Sequence, residues 1–561
     1  MRELRIQRCR YVAFETDVAR MRTRAQAIAV QAGARGTLQE FHPPGGISFT
    51  SEPCFYAVGN GPSVRSPPFA ARGCGGRRQA SDENDDPVSP KPREVEIDMP
   101  NLLVGRRTLL AGSSTLLVMA PTVVLARSAP PAASGGAGGS QSAVIDVNRA
   151  QVEPIPIAIP VFAAAGGKAA QLASGIVKVV SDDLQGCGLF RPLDPASFVQ
   201  AAADIGAVPK WQDWKVIGAR ALVTGKVDEP SAGQVRVEFR LWDVLPEKQL
   251  QGTAYTTADS NLRRVGHMIA DVIYQRLLGE KGYFDTRIAY ISDSGPRNAR
   301  TRRLAIMDQD GANNRFLTSG EWMALDPRFH PIKVNELAFM SYAENQPRVY
   351  LFDLGSGRQS LLGAFSGMTF APRFSPDGTK IILSEARGAG SDIVAVDLAS
   401  MMPTQLTSSG AIDTSPCYSP DGSQITFNSD RDGSPQLYIM GADGSGAKRI
   451  SYGEGRYFAP VWSPRGDLIA FIRQNGGTFG LGVMNTDGTG ERILSEGFTV
   501  DGPSFCPNGQ VIAFWRTTPA TSASGAGYST RLVNIDITGF NERLIQTPTD
   551  ASDPAWSPLL S

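Results

Sequence analysis

Asp326-Pro-Arg-Phe-His-Pro331, Ala371-Pro-Arg-Phe-Ser-Pro-Asp-Gly378, Ser415-Pro-Cys-Tyr-Ser-Pro-Asp-Gly422, Ala459-Pro-Val-Trp-Ser-Pro-Arg-Gly466, Gly502-Pro-Ser-Phe-Cys-Pro-Asn-Gly509 and Asp553-Pro-Ala-Trp-Ser-Pro558 are six copies of one phrase. The first proline of each falls at 327, 372, 416, 460, 503 and 554, so the repeat length runs from 43 to 51 residues. That period, with several short strands per unit, is the mark of a β-propeller blade. Pro-x-aromatic-Ser-Pro reads as an inner strand, and Pro-Asp-Gly as the turn that ends it, because Pro presets φ and Gly accepts φ > 0. An apolar strand follows each turn, as in Ile381-Ile-Leu383 or Val511-Ile-Ala-Phe514. A further strand comes next, as in Gln436-Leu-Tyr-Ile-Met440, and a short outer one closes the unit, as in Gln405-Leu-Thr407 or Arg449-Ile-Ser451. Alternating apolar positions bounded by Gly, Asp and Pro carry these assignments.

The phase of the repeat predicts how the ring closes. The first unit begins on the second-strand type, Arg287-Ile-Ala-Tyr290, with no proline phrase before it, and the chain ends on that phrase. Residues 553–558 are therefore expected to pair beside 287–291, removing two exposed edges together. The expectation is a two-domain chain: a small N-terminal mixed α/β domain at 143–283, then a six-bladed β-propeller at 284–561 closed by its C-terminal strand. Such a propeller offers a ring of loops around a channel, a shape suited to docking a partner.

Lys+Arg and Asp+Glu are both 55, so the formal net charge is zero. That balance supports neither nucleic-acid binding nor general attraction to a membrane surface. Six cysteines are scattered at 9, 54, 74, 187, 417 and 506 without a C-x-x-C pair, and Cys417 and Cys506 read as small buried apolar residues. Residues 1–98 have weak periodicity, Arg-rich stretches and a charged run, and read as disordered or as a non-native upstream extension. Residues 99–126 read as a signal peptide, with Arg106 and Arg107 as its charged region and cleavage expected after Ala126. Gly105-Arg106-Arg107-Thr108 is similar to a twin-arginine signal, and the general secretory route is an equal alternative. The apolar stretch is short for a membrane span and Pro121 interrupts it, so no membrane insertion is expected after cleavage. Residues 127–142 are Ala/Gly/Pro/Ser-rich and read as a flexible linker. In the α/β domain, residues 167–184 and 261–278 carry helical apolar spacing, while 156–162, 219–227 and 235–242 read as strands.

Gly188-Leu-Phe190, Trp214 through Gly218-Ala219, Arg263-Arg264, His267, Ile269-Ala-Asp271 and Gly282-Tyr-Phe-Asp-Thr-Arg287, together with the repeats, resemble the TolB family over about residues 143–561. The resemblance implies a periplasmic protein of the Tol–Pal envelope system. It implies two protein partners: a Pal-like peptidoglycan-associated lipoprotein at one propeller mouth, and a TolA-like inner-membrane protein at the N-terminal segment. It further implies support of outer-membrane integrity and of invagination at cell division.

Repeat geometry points to the same mouth. The segments before each repeated proline, 322–326, 367–371, 412–415, 456–459 and 499–502, cross from one blade to the next and do not repeat in sequence. Aromatic side chains there suit interface anchors, or else pack between blades. The resemblance implies Pal-like contacts in these crossings, with Met368, Ala371, Thr414 and Ser415 as the counterparts by motif position. Phe370, Asp413, Arg456, Tyr457 and Phe458 of the same crossings join them as expected contacts, with the crossings taken as exposed. Where Ser415 stands the family often has an acidic residue. The TolA-like segment maps to Val144, Ile145, Asp146 and Val147.

An enzyme is not expected, and no cofactor or metal is assigned. The alternative is the propeller of a prolyl-oligopeptidase-like peptidase, which needs a G-x-S-x-G elbow and a following hydrolase domain; neither is found. His267 and His330 are read as structural. Asp308-Gln-Asp-Gly311, Asp430-Arg-Asp-Gly433 and Thr486-Asp-Gly488 resemble calcium-loop starts but lack the later ligands, so they read as hairpin turns.

Overall fold

The computed structural model describes residues 153–199, 207–296, 299–520 and 527–560. The signal residues Arg106, Arg107 and Ala126, and the segment Val144, Ile145, Asp146 and Val147, lie outside the described residues.

The N-terminal domain is built on β1 (Ile155–Ala158), β2 (Ala163–Ala164), β3 (Phe190–Pro192), β4 (Ala221–Ser231), β5 (Gln234–Asp243) and β6 (Lys248–Ala258). Its sheet runs β3-β1-β4-β5-β6, with β1 parallel to both neighbours and β4-β5-β6 antiparallel. Helix α1 (Gly167–Gly186) places Ile176, Val180 and Leu184 on one face, and α3 (Leu262–Leu278) adds Val265, Ile269 and Ile273. These join Ile157, Val223, Val237 and Phe239 of the sheet in one core. The two helices approach closely because residue 266 is glycine: a Cβ there would meet Val179 Cγ1 at 2.8 Å. A short helix α2 (Trp211–Val216) lies between α1 and α3 in the chain, and its Trp214 packs in a small separate cluster with Ala158, Leu222 and Trp242.

The second domain is six four-stranded antiparallel blades. Five are continuous, with inner strands at Ala324–Phe329, Thr369–Phe374, Thr414–Tyr418, Arg456–Trp462 and Thr499–Phe505. The sixth is composite: Asp550–Trp556 is its inner strand, beside Arg287–Ser294, Thr301–Asp308 and Arg315–Phe316. The register Asp550↔Asp293, Ala551↔Ser292 and Trp556↔Ile288 joins the last strand to the first. This is the closure that the repeat phase predicts. Cys187, Cys417 and Cys506 are buried free thiols, and burial pushes the Cys187 and Cys506 thiols up to about 12. They act as small packing residues, as their scattered placement suggests.

Each inner strand carries the same irregularity. Its register slips at the repeated proline, between Leu325 and Arg328, Phe370 and Arg373, Thr414 and Cys417, and at the equivalent places in the other blades. The residue before that proline is left-handed every time, with φ from 46° to 66° at Asp326, Ala371, Ser415, Ala459, Gly502 and Asp553. Proline has no N–H to give the ladder, so a bulge is where a strand can hold it.

The domains join through aromatic packing and ion pairs. Tyr283 lies with ring centroids 4.6 Å from Phe284, 5.8 Å from Trp556 and 6.1 Å from Tyr274 of α3. Arg264 Nε donates to Asp285 at 3.0 Å, and Asp271 accepts from the Phe284 and Asp285 amides at 2.7 and 2.9 Å. No helix among the described residues is long and apolar enough to cross a membrane.

Candidate functional site

Strand direction separates the two mouths of the channel. Inner strands start at the crossings and end at the Ser-Pro-Asp-Gly turns, so crossings ring one mouth and those turns ring the other. The α/β domain bonds to the turn side. Asn508 Nδ2 donates to Lys281 O at 2.8 Å, Gln510 Nε2 to Glu280 at 2.6 Å, Gln309 Nε2 to Asp183 at 2.7 Å and Asn541 Nδ2 to Gly186 O at 2.9 Å. Among the described residues these contacts leave the crossing-side mouth open.

The crossings are largely built into the scaffold. A chain passing from an outer strand to the next inner one must satisfy its backbone groups on the preceding blade. Thr369 N bonds Pro347 O at 3.1 Å, Asp413 N bonds Ser391 O at 2.9 Å and Tyr457 N bonds Pro435 O at 3.0 Å. The side chains follow the backbone inward. Asp413 is fully buried, paired to Arg431 Nη2 at 3.0 Å, and accepts from Ser409 Oγ at 3.2 Å. Thr414 is buried, and its Oγ1 accepts from Asn428 Nδ2 at 2.8 Å. Tyr457 is fully buried; its hydroxyl lies 2.9 Å from both Glu491 carboxylate oxygens and its ring 5.3 Å from Phe471.

This corrects the expectation that the crossings as a whole are exposed. Asp413, Thr414 and Tyr457, with Ala371 and Ser415 at the buried left-handed positions, are built into the blades rather than presented to solvent. For Tyr457 the packing reading is the right one, with Phe471 and Glu491 of its own blade as side-chain partners. Met368 and Arg456 face solvent, while Phe370 and Phe458 are half-buried.

The expected contact residues left out the most exposed aromatic side chains of this mouth, although Trp322 stands in the expected crossing 322–326. Trp322 and Tyr452 lie on crossings. Phe498, on the crossing into the last continuous blade, stacks on Tyr528 with centroids 5.3 Å apart and planes at 10°. Phe498 is 52% exposed and Tyr528 46%. Their signal in the sequence was present but indirect: Trp322 and Phe498 both stand five residues before the repeated proline, and Tyr452 stands where no other blade has an aromatic residue.

Where blades meet, Asp553 lies near Asp326 and Asp501. Burial, with the charges of those two carboxylates, pushes its carboxyl up to about 7, against the pull of Arg328 and Arg302. The unfolded group ionises at roughly 3.9. Between these values the unfolded chain gives up its proton first. Stability from this group is therefore full below about pH 4 and is lost as pH rises through about 7. Asp553→Asn keeps the shape, and Asn tolerates φ 50°. Its urea midpoint is expected to rise relative to wild type at pH 8 and to match it at pH 4; equal offsets at both values would refute the assignment.

Comparison with known proteins agrees with the geometry. The TolB amino-terminal domain matches residues 143–250 and the TolB beta propeller domain matches residues 274–560. The Tol-Pal system protein TolB of Gluconobacter oxydans (strain 621H) is 57% identical over 421 residues, covering 75% of this chain and 89% of the relative. That of Paramagnetospirillum magneticum (strain ATCC 700264 / AMB-1) is 54% identical over 416 residues, covering 74% and 93%. The crystal structure of TolB from Acinetobacter baumannii is similar with a TM-score of 0.62 at 27% identity, covering 72% of this chain and 97% of that one. Two-domain order, composite closing blade and sequence identity therefore converge: the chain belongs to the TolB family, the propeller proteins of the Tol–Pal system.

Proposed function

We propose that this protein is a periplasmic scaffold that docks a Pal-like peptidoglycan-associated lipoprotein on the crossing-side mouth of its propeller. A TolA-like inner-membrane protein would bind the segment at 143–147. Together these contacts would support outer-membrane integrity and invagination at cell division. The observation that carries the reading is the open mouth itself: non-repeating crossings bearing exposed Trp322, Met368, Tyr452 and Phe498 on the side away from the α/β domain. Exposed aromatic and Met side chains grouped on one face are typical of interface anchors. Arg456, Phe370 and Phe458 stand beside them. Ala371, Asp413, Thr414, Ser415 and Tyr457 would set the shape of the mouth rather than supply its contact area.

A pull-down of the lipoprotein from envelope extract tests the reading. Phe498→Ala and Met368→Ala are expected each to weaken binding by about 1–3 kcal/mol if they anchor the partner. Gln359→Lys, on the exposed outer strand Gln359–Leu361, is expected to bind as wild type. Recovery that is unchanged in both mouth variants would move the interface elsewhere. Export is tested separately by N-terminal sequencing of protein recovered from the periplasm. The mature chain is expected to begin near Arg127, and one that retains residues 1–98 would overturn the start at Met99.

A further inference from the structure

His267 lies on α3 at the junction of the two domains and is 2% exposed. Its Nδ1 is 2.6 Å from Asp183 Oδ2, while Asp183 Oδ1 accepts from Gln309 Nε2 at 2.7 Å. With Asp183 accepting on both oxygens, Nδ1 carries the hydrogen, and Nε2 presents its lone pair in the neutral ring. Burial favours that form, while Asp183, Asp310 and Asp308 outweigh it and hold the imidazole above its usual range, so an entering ion displaces a proton. That Nε2 is buried and has no hydrogen-bond partner. Native folds leave few such atoms, and each calls for a reason. Nε2 faces the turn that follows Thr301–Asp308, at 3.9 Å from Asp308 Oδ2. One ligand atom from each of His267, Asp308 and Asp310 lies within 4.8 Å of the others.

We propose that His267 Nε2, Asp308 and Asp310 bind one divalent transition-metal ion, with zinc best suited to the donor set, and so clamp α3 to the first blade strands. One imidazole and two carboxylates are ordinary zinc donors, and a water completes four-coordination. Asp183 acts as the positioning residue, since a carboxylate on the second ring nitrogen fixes tautomer and ring direction in metal sites. Donor atoms around tetrahedral zinc stand roughly 3.3 Å apart for bonds of about 2 Å. The cluster must therefore contract by up to about 1.5 Å, with Asp308 at the end of its strand and Asp310 in the turn that follows. Asp310 is partly exposed and gives the ion a route in.

Two neighbours compete with the ion. Arg263 pairs with Asp310 and has its Nε 3.7 Å from Asp308 Oδ2. Asn313 Nδ2 donates to Asp308 Oδ2 at 2.6 Å. The Arg263 side chain is already 37% exposed, so it can turn to solvent when the ion enters. This competition yields a signature that a purely structural histidine lacks: removing Arg263 should tighten metal binding.

Calorimetric titration of the full chain with zinc chloride tests the site. Wild type is expected to take up one saturable equivalent that depends on His267. His267→Ala should weaken that equivalent by about 100-fold or more, and Asp183→Asn by about 10- to 100-fold. Asp310→Asn, which keeps an oxygen to accept from Ala312 N in the turn, should weaken it as well. Arg263→Gln should tighten it by about tenfold, by removing a competing positive charge. Cobalt(II) in place of zinc should give d–d bands without thiolate charge transfer, which separates this site from Cys9, Cys54 and Cys74. Absence of a saturable equivalent, binding that is unchanged in Asp310→Asn, a thiolate spectrum, or an Arg263→Gln variant that binds no tighter would each overturn the proposal. If His267→Ala fails to fold, Asp310→Asn and Arg263→Gln decide it.

Discussion

A chain ending at Thr549 is expected to aggregate or to lose cooperative unfolding. The missing strand, Asp550–Trp556, is the inner strand of the composite blade, and it alone covers the inner edge of Arg287–Ser294. Its loss exposes an eight-residue ladder whose central side chains, Ile288 to Ile291, are fully buried. A long apolar edge of that kind invites pairing with another chain. The strand also links blades and domains. Trp556 N donates to Ser504 Oγ of the neighbouring blade at 2.9 Å, and Trp556 Nε1 donates to Thr286 Oγ1 of the interdomain segment at 2.8 Å. Trp556→Ala, which keeps the strand, should still fold but lose about 3–5 kcal/mol. Urea unfolding followed by tryptophan fluorescence and by far-UV circular dichroism reads both variants. A truncated chain that unfolds in one transition with the wild-type midpoint would show that the ring does not depend on its closure.

Particular residues show what the sequence could and could not disclose. Blade number and closure were legible because Pro-Asp-Gly and Pro-x-aromatic leave a local chemical mark that recurs, and because the marks are split between the two ends. Outer strands were placed about two residues late: Pro403–Gln405 and Lys448–Arg449 are observed where 405–407 and 449–451 were expected. Those strands are exposed, so no apolar alternation fixes their bounds. Strand β6 left no apolar signal either, since Lys248–Ala258 is half-buried at most along its length. The bulge was hidden for a different reason. Left-handed Asp326, Ala371, Ser415, Ala459 and Asp553 run against the preference of both non-glycine residues and residues before proline, so only the tertiary frame imposes them. The site was the least legible part. Whether a crossing side chain is anchor or mortar depends on which partners the folded blades bring to it, which sequence periodicity does not report. Tyr457 and Phe498 look alike as letters; one is sealed against Phe471 and Glu491, the other half in water. The junction of His267 with Asp183 and Asp308 was likewise invisible, because its partners come from a helix 84 residues away and from another domain.

Thr414→Arg is expected to cost at least about 4 kcal/mol of stability and to abolish partner binding only by unfolding the mouth. Thr414 is 3% exposed, so the longer, charged side chain has neither room nor water. The substitution also removes the acceptor of Asn428 Nδ2, whose own Oδ1 is already without a partner. Thr414→Val isolates that second effect. It keeps the volume, leaves the Asn428 amide unpaired, and should cost about 1–3 kcal/mol. Phe498→Ala works in the opposite sense, because its ring is half exposed: stability should change little while lipoprotein capture falls. Urea midpoints measured beside the pull-down therefore separate scaffold from interface. Should Thr414→Arg keep the wild-type midpoint yet lose the lipoprotein, Thr414 is itself a contact and the buried crossing must open when the partner docks.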